Sequence, residues 1–325
     1  MTSIFKKIVS HLRPGTPNAG YAGSERVFVA AFGKHPGWDD HIDDIGLETD
    51  VFVNVKRLLY VQGIGGNIDS GSWDKLQGNQ LIKEFKHVFV WCMYNNVVVG
   101  RIWSSRDGKG RTSYPMIVCV QCHQLPLEWV LKNILSRLER IEESCVAATS
   151  APDVQMIIEN AQNELRQLAR QCQSSGKSPA ARADVLARLA DYPEMGPNRE
   201  GLLRILYHIE REVERYRPDS TKTKEFRPTF LRIPGSPPDW PESALLWIGF
   251  LLARLGSTAP ILLLMPLRYS WIDVIIGDPT EVQLYCLRAS LDVIPLTSSI
   301  PYNMGLEFID RANQLIEDSR RIAVE

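Results

Sequence analysis

This sequence lacks a disulfide framework, a charge imbalance and an uninterrupted apolar run of membrane length, and each absence excludes a class of protein. Six cysteines are scattered irregularly through 325 residues, unlike the dense spacing of a small secreted domain. The N-terminus "MTSIFKKIVSHLRPGTPNAGYAGSE" has no apolar stretch followed by a small-residue cleavage site. A reducing, cytoplasmic setting is expected. Lysine and arginine number 37 against 38 aspartates and glutamates, a formal net charge of -1, so no global field draws the chain onto nucleic acid or an anionic membrane. The most apolar segment, Leu245 to Met265, carries Arg254 near its middle and is interrupted by "GSTAP". It reads as a buried helix, a turn and a buried strand, not as an integral membrane segment.

With 44% apolar residues, the chain can bury a large core. Residues 1–24, rich in Gly, Pro, Ser and Thr, read as a flexible lead-in, with a short amphipathic helix at Ile4, Phe5, Ile8 and Val9 as the alternative. Order is expected from about Arg26. "RVFVAAF", "HVFVWCMY", "VVVGRIW" and "YPMIVCVQC" are apolar runs of strand length, the middle two joined by a hairpin at Asn95-Asn96. From Leu127 the period changes: Leu127, Val130, Leu131, Ile134, Leu135, Leu138 and Ile141 define one helical face. Val154, Ile157, Ile158, Ala161, Leu165, Leu168 and Cys172 define a second after Pro152. "SSGKSP" breaks the chain. A short helix near Asp184 to Ala190 follows, then a longer one after Asn198 with Leu202, Leu206, Ile209, Val213 and Tyr216 inward. After "RPDSTKTKEFRP", strand-like segments return at "TFLRI", "ILLLM", "WIDVII" and "VQLYCL", with a helix near Glu242 to Leu255 between the first two and a last helix at about Gly305 to Arg320. Strands on either side of a helical block most economically form one sheet with helices on its faces. The expected fold is therefore α/β, a three-layer α/β/α sandwich with a mixed, partly antiparallel sheet and a helical middle section. One domain over 25–325 is expected, with parts at 27–120, 127–216 and 226–325.

Several chemical motifs fail on inspection. "CVQCH", residues 119 to 123, matches the spacing of a c-type haem attachment site. It alternates like a strand end, however, and no second Cys/His pair completes a zinc site. "QGIGG", residues 62 to 66, lacks the last glycine of a dinucleotide fingerprint and reads as a turn. "DGKGRTS" has Gly110 where a phosphate-binding loop places Ser or Thr. With Arg106 just before it, the stretch still concentrates three cations, Arg106, Lys109 and Arg111, so an anion or acidic partner could dock there. The densest cluster is "FGKHPGWDDHIDD", residues 32 to 44. His35, Asp39, Asp40 and His41 are its candidate metal ligands, sufficient in principle to polarise a water in a metal-dependent hydrolase. Alternatively Asp39 and Asp40 cap a helix, with Lys34 or a distant arginine, Arg111, offsetting their charge.

Two segments taken together resemble a known family. "FGKHPGWDDHI" is similar to the "GK-x-P-x-x-x-D" opening of TagF-type proteins, the type VI secretion accessory proteins also called ImpM. "GRIWSSRDGKGRTSYPM" is similar to their later "G-x-x-x-x-S-x-D-x-x-G-R-x-x-P" segment. The matching positions are Gly33, Lys34, Pro36 and Asp40, then Gly100, Ser105, Asp107, Gly110, Arg111 and Pro115. The chain departs from the family at Asp39 and His41, where Gly and Phe are usual on either side of the Asp, and at Arg106. The resemblance covers residues 27 to 120. It implies a cytoplasmic regulator of type VI secretion without catalytic activity, cofactor or small-molecule substrate, acting on a forkhead-associated-domain protein. It also implies that the two motif loops meet at one end of the sheet, bringing Lys34, Asp40, Asp107 and Arg111 together. A scaffold of the same fold unconnected with secretion is a further alternative.

Overall fold

Apolar runs bounded by turn residues become the strands of one seven-stranded sheet. They are β1 (Val27–Gly33), β2 (Lys86–Met93), β3 (Asn96–Ser104), β4 (Pro115–His123), β5 (Thr229–Pro234), β6 (Ile261–Pro266) and β7 (Trp271–Ile276). The computed structural model describes residues 25–172, 185–213, 228–235, 240–256 and 259–322. The expectations for residues 1–24, for "SSGKSP", for Tyr216 and for nearly all of "RPDSTKTKEFRP" lie outside them, as does the side chain of Val213.

The strand order is β1-β4-β3-β2-β6-β7-β5, and each of these pairings is antiparallel. This corrects the expected mixed sheet. The strands β5 and β6 do run in the same direction, with a helix between them in sequence. Because β7 is inserted between them in the sheet, that crossover produces no parallel hydrogen-bonded pair.

Alternate residues of each strand feed two separate hydrophobic clusters. Val27, Val29, Ala31, Val88, Val90, Val118 and Val120 enter one; Ala30, Phe32, Phe89, Trp91, Ile117 and Cys119 enter the other. This explains why the strands read as continuous apolar runs. The first cluster includes α3 (Leu127–Ala147), α4 (Ala151–Arg170), α5 (Val185–Ala190), α6 (Glu200–His208), α7 (Trp240–Leu255) and α9 (Leu306–Ile322). All seven residues assigned to the inner face of α3 are buried, each large aliphatic side chain contributing about 1.5–3 kcal/mol. Helix α4 starts where Ser150 accepts a hydrogen bond from the Asp153 amide, with proline in its first turn, a favoured helix opening. Among the described residues, no helix is long and apolar enough to cross a membrane.

The second cluster is covered by α1 (Asp50–Val55), a π-helical run at Lys56–Gly65, α2 (Gly66–Asp69) and α8 (Glu281–Leu284). Two expectations are corrected here. "VQLYCL" forms α8 and a 3-10 turn at Tyr285–Arg288, not a strand, because Thr280 and Gln283 form a capping box that opens a helix. "QGIGG" is helical, not a turn. A Cβ on Gly63 would lie 2.0 Å from Leu284 Cδ1, and one on Gly66 would lie 2.6 Å from Glu281 Oε2. Its glycines thus admit α8 at close range. The β2–β3 hairpin also turns one residue earlier than expected, at Tyr94-Asn95, since Met93 pairs with Asn96 and Tyr94 takes a φ of 49°.

Candidate functional site

Strand β1 ends at Gly33, whose φ of 112° suits glycine, and a Cβ there would lie 2.2 Å from the Pro115 carbonyl oxygen. The chain then turns through His35, Pro36, Gly37 and Trp38, the Trp38 amide donating to the His35 carbonyl at 3.0 Å. Proline at the second position presets the backbone for such a turn. The chain returns to pair Lys34 with His41 in an isolated bridge. A second loop, between β3 and β4, is organised by Asp107. Its Oδ1 accepts from the Lys109 and Arg111 amides, both at 3.0 Å. The Gly108 amide donates to the Trp38 carbonyl at 2.7 Å, so the loops touch through backbone. Gly110, at φ 79°, supplies the left-handed residue of the second loop.

Charged side chains interlock the loops. Lys34 Nζ lies 2.6 Å from Asp107 Oδ2 and 2.9 Å from Asp40 Oδ1. Arg111 reaches the same carboxylates, Asp107 Oδ2 at 2.7 Å and Asp40 Oδ1 at 3.0 Å, and also donates to the Asp39 carbonyl at 2.9 Å. Lys34 and Asp107 are buried, whereas the side chains of Asp40 and Arg111 are about half exposed. Two cations therefore face two carboxylates, and the buried members are fully partnered, which is the condition for keeping such charges out of water.

Protonation follows from these contacts. Burial pushes the Asp107 carboxyl up, but hydrogen bonds from Lys34 and Arg111 outweigh it and leave the group well below the ordinary carboxylate range. The hydrogen bond from Lys34 is the main influence holding Asp40 low. Burial lowers His41, with Lys34 adding to the effect and Asp40 opposing it.

The four candidate metal ligands do not converge. His35 turns inward: Nε2 bonds the Cys145 carbonyl at 2.9 Å, and Nδ1 accepts from the Gly37 amide at 3.0 Å. Both ring nitrogens are occupied, and burial lowers the imidazole's pKa. Asp39 points outward toward Lys109 at 3.9 Å; Asp40 and His41 contact each other. Among the described residues no group of three or more His, Cys, Asp or Glu side chains could hold a metal ion. Nor do Asp39 and Asp40 cap a helix, since the next one opens only at Thr49 and Asp50. Cys119 and Cys122 enter opposite clusters on the two faces of β4, so the haem-like motif cannot present both thiols to one group. Of the family-matched positions, Gly33, Lys34, Asp40, Asp107, Gly110 and Arg111 build the interlock, and Pro36 shapes its turn. Ser105 lies outside it. Gly100 sits within β3, where a Cβ would lie 2.3 Å from the Phe89 ring.

Replacing Lys34 by Met is expected to loosen this end of the sheet, because Asp107 loses its buried cation. Hydrogen exchange at the Gly108, Lys109 and Arg111 amides should accelerate by roughly tenfold or more, while exchange in α3 stays unchanged. Unchanged exchange at all three amides would mean that the ion pairs do not hold the loop. No protein-family model matches this chain, and no curated protein matches it.

Proposed function

We propose that this chain is a non-enzymatic regulatory protein of type VI secretion, working in the cytoplasm by binding a protein partner, expected to be a forkhead-associated-domain protein. The observation that carries the reading is the interlock. The two segments that resemble TagF-type proteins lie about 70 residues apart in sequence, yet their charged positions meet in one cluster. The cluster holds a polar surface in one conformation, with Asp39, Asp40, Lys109 and Arg111 outermost. A preorganised polar rim of this kind suits protein recognition, since little side-chain freedom is lost on binding. The reading includes a single domain from residue 25 onward with helices on both faces of the sheet, and the two hydrophobic clusters support that three-layer arrangement. The hydrolase alternative is less well supported, because its four proposed ligands do not converge on one point.

The test compares what the affinity-purified native chain and an Asp40→Ala, Arg111→Ala double variant retain from lysate of the source cell, with folding of both checked by circular dichroism. Retention of a forkhead-associated or other secretion component by the native chain, and its loss in the folded variant, is expected. If neither chain retains any component of that system, the secretion role is withdrawn.

A further inference from the structure

Beside the interlock, on the far side of the His35-Pro36 turn, opens a cleft with a volume of about 630 Å³, within the range of small-ligand sites. We infer that this cleft binds a phosphomonoester group, a role separate from the secretion reading and independent of it.

The charge of the lining is one-sided. Lys83, Arg106 and Arg288 contribute three cations, and no aspartate or glutamate lines the cleft. Elsewhere on this protein cations are commonly neutralised by carboxylates: Arg111, Lys56, Arg101, Arg137 and Arg268 all have one within 4.0 Å. Among the described residues, Lys83, Arg106 and Arg288 make no such pair. Of the three basic residues in and just before "DGKGRTS", Arg111 is engaged by Asp40 and Asp107, and Lys109 lies near Asp39. Only Arg106 faces the cleft, which changes the residues on which an anion would dock.

Arg288 is fixed in position. Its Nε donates to the Ile82 carbonyl at 3.1 Å and its Nη2 to the Lys83 carbonyl at 2.9 Å. Its guanidinium lies over the rings of Trp73 and Phe85 at 5.8 and 5.4 Å. Carbonyls and ring faces orient the group without cancelling its charge, and the Asp74 carboxylate acts on it only at longer range than an ion pair. The lining also includes Ser105, Thr112 and Ser113, whose hydroxyls make no hydrogen bond among the described residues. Guanidinium forks and an ammonium supply charge, and hydroxyls supply further donors. Together they match the dianion and three acceptor oxygens of a phosphomonoester better than the flat monoanion of a carboxylate.

The test is calorimetric titration of the full chain in chloride buffer with inorganic phosphate, N-acetyl-phosphoserine methylamide and the unphosphorylated serine amide. Saturable binding of at least one phosphate probe is expected, with none of the serine amide. Arg106→Ala and Lys83→Ala, both exposed positions, should each weaken the affinity by roughly tenfold while leaving the thermal midpoint unchanged. Tighter binding of the phosphoserine amide than of inorganic phosphate assigns the site to a phosphorylated protein segment; the reverse assigns it to a small phosphate. Absence of saturable binding up to about 10 mM, or affinity unchanged in both variants, overturns the inference.

Discussion

Asp273→Ala is expected to lower the free energy of unfolding by about 3–5 kcal/mol. Arg232 on the edge strand β5 and Asp273 on its neighbour β7 face each other, with Arg232 wholly buried and Asp273 nearly so. The guanidinium grips the carboxylate at two points, Nε to Oδ1 at 2.6 Å and Nη2 to Oδ2 at 2.9 Å. It also donates to the carbonyls of Ala289, Ser290 and Ile294, each at 3.0 Å, so it ties the segment after α8 to the sheet. Removing the carboxylate leaves a cation in a low-dielectric interior with only carbonyls and the Trp271 ring around it. Burial pushes the Asp273 carboxyl up, Arg232 opposes this, and the net direction is upward. Taking both charges out of water offsets much of the attraction between them. It follows that Arg232→Met with Asp273→Leu should recover most of the loss, since nothing charged then remains to be desolvated. Urea unfolding of the native chain, the single variant and the double variant measures both effects. A loss below about 1 kcal/mol in the single variant would show that the pair is solvated like a surface bridge.

Acid should weaken the fold well above the carboxylate range, and His87 should be a principal cause. It lies on β2, buried on the same face of the sheet, and burial followed by the nearby charge of Arg232 pushes its pKa down to about 3. In the unfolded chain an imidazole titrates near 6.5. Between those values the unfolded state binds one more proton than the folded state, so stability falls as pH falls. The slope is roughly 1.4 kcal/mol per pH unit. From pH 6.5 to pH 4 this amounts to about 3 kcal/mol from His87 alone. His35 and His41, also lowered by burial, add to the slope. Asp40 and Asp107, held low by their cations, contribute stability that is present above the ordinary carboxylate pKa and lost below it. Asp273, whose pKa is raised, acts in the opposite sense. Comparison with His87→Gln cancels these shared terms. The variant's urea midpoint should fall less steeply between pH 6.5 and 4, and parallel profiles would mean that His87 titrates as it does in water.

Much of the scaffold was legible along the chain because its causes are local. The face of α3 follows from a three- and four-residue repeat, and β1 to β4 follow from apolar runs between turn residues. The segment at 281–288 misled because an apolar run of strand length and a short capped helix have similar compositions. The capping box at Thr280 and Gln283 was the available signal. Lone charges within apolar runs, Arg232 in "TFLRI" and Asp273 in "WIDVII", were the corresponding signal for the buried pair.

The candidate site divides in the same way. The types of residue at Gly33, Asp107 and Gly110 already specified tight turns, and the balance of Lys34 and Arg111 against Asp40 and Asp107 was present in the sequence. Whether His35 faces a ligand or a carbonyl of α3, and whether Arg106 or Arg111 remains without a carboxylate, depends on atoms brought together from distant segments. Most elements and the loop chemistry can be read along the chain, since hydrophobic period and turn preference act over a few residues. The full set of strand directions, the buried ion pair and the basic cleft emerge on folding, because strand pairing, desolvation and charge pairing depend on which distant groups share the same space.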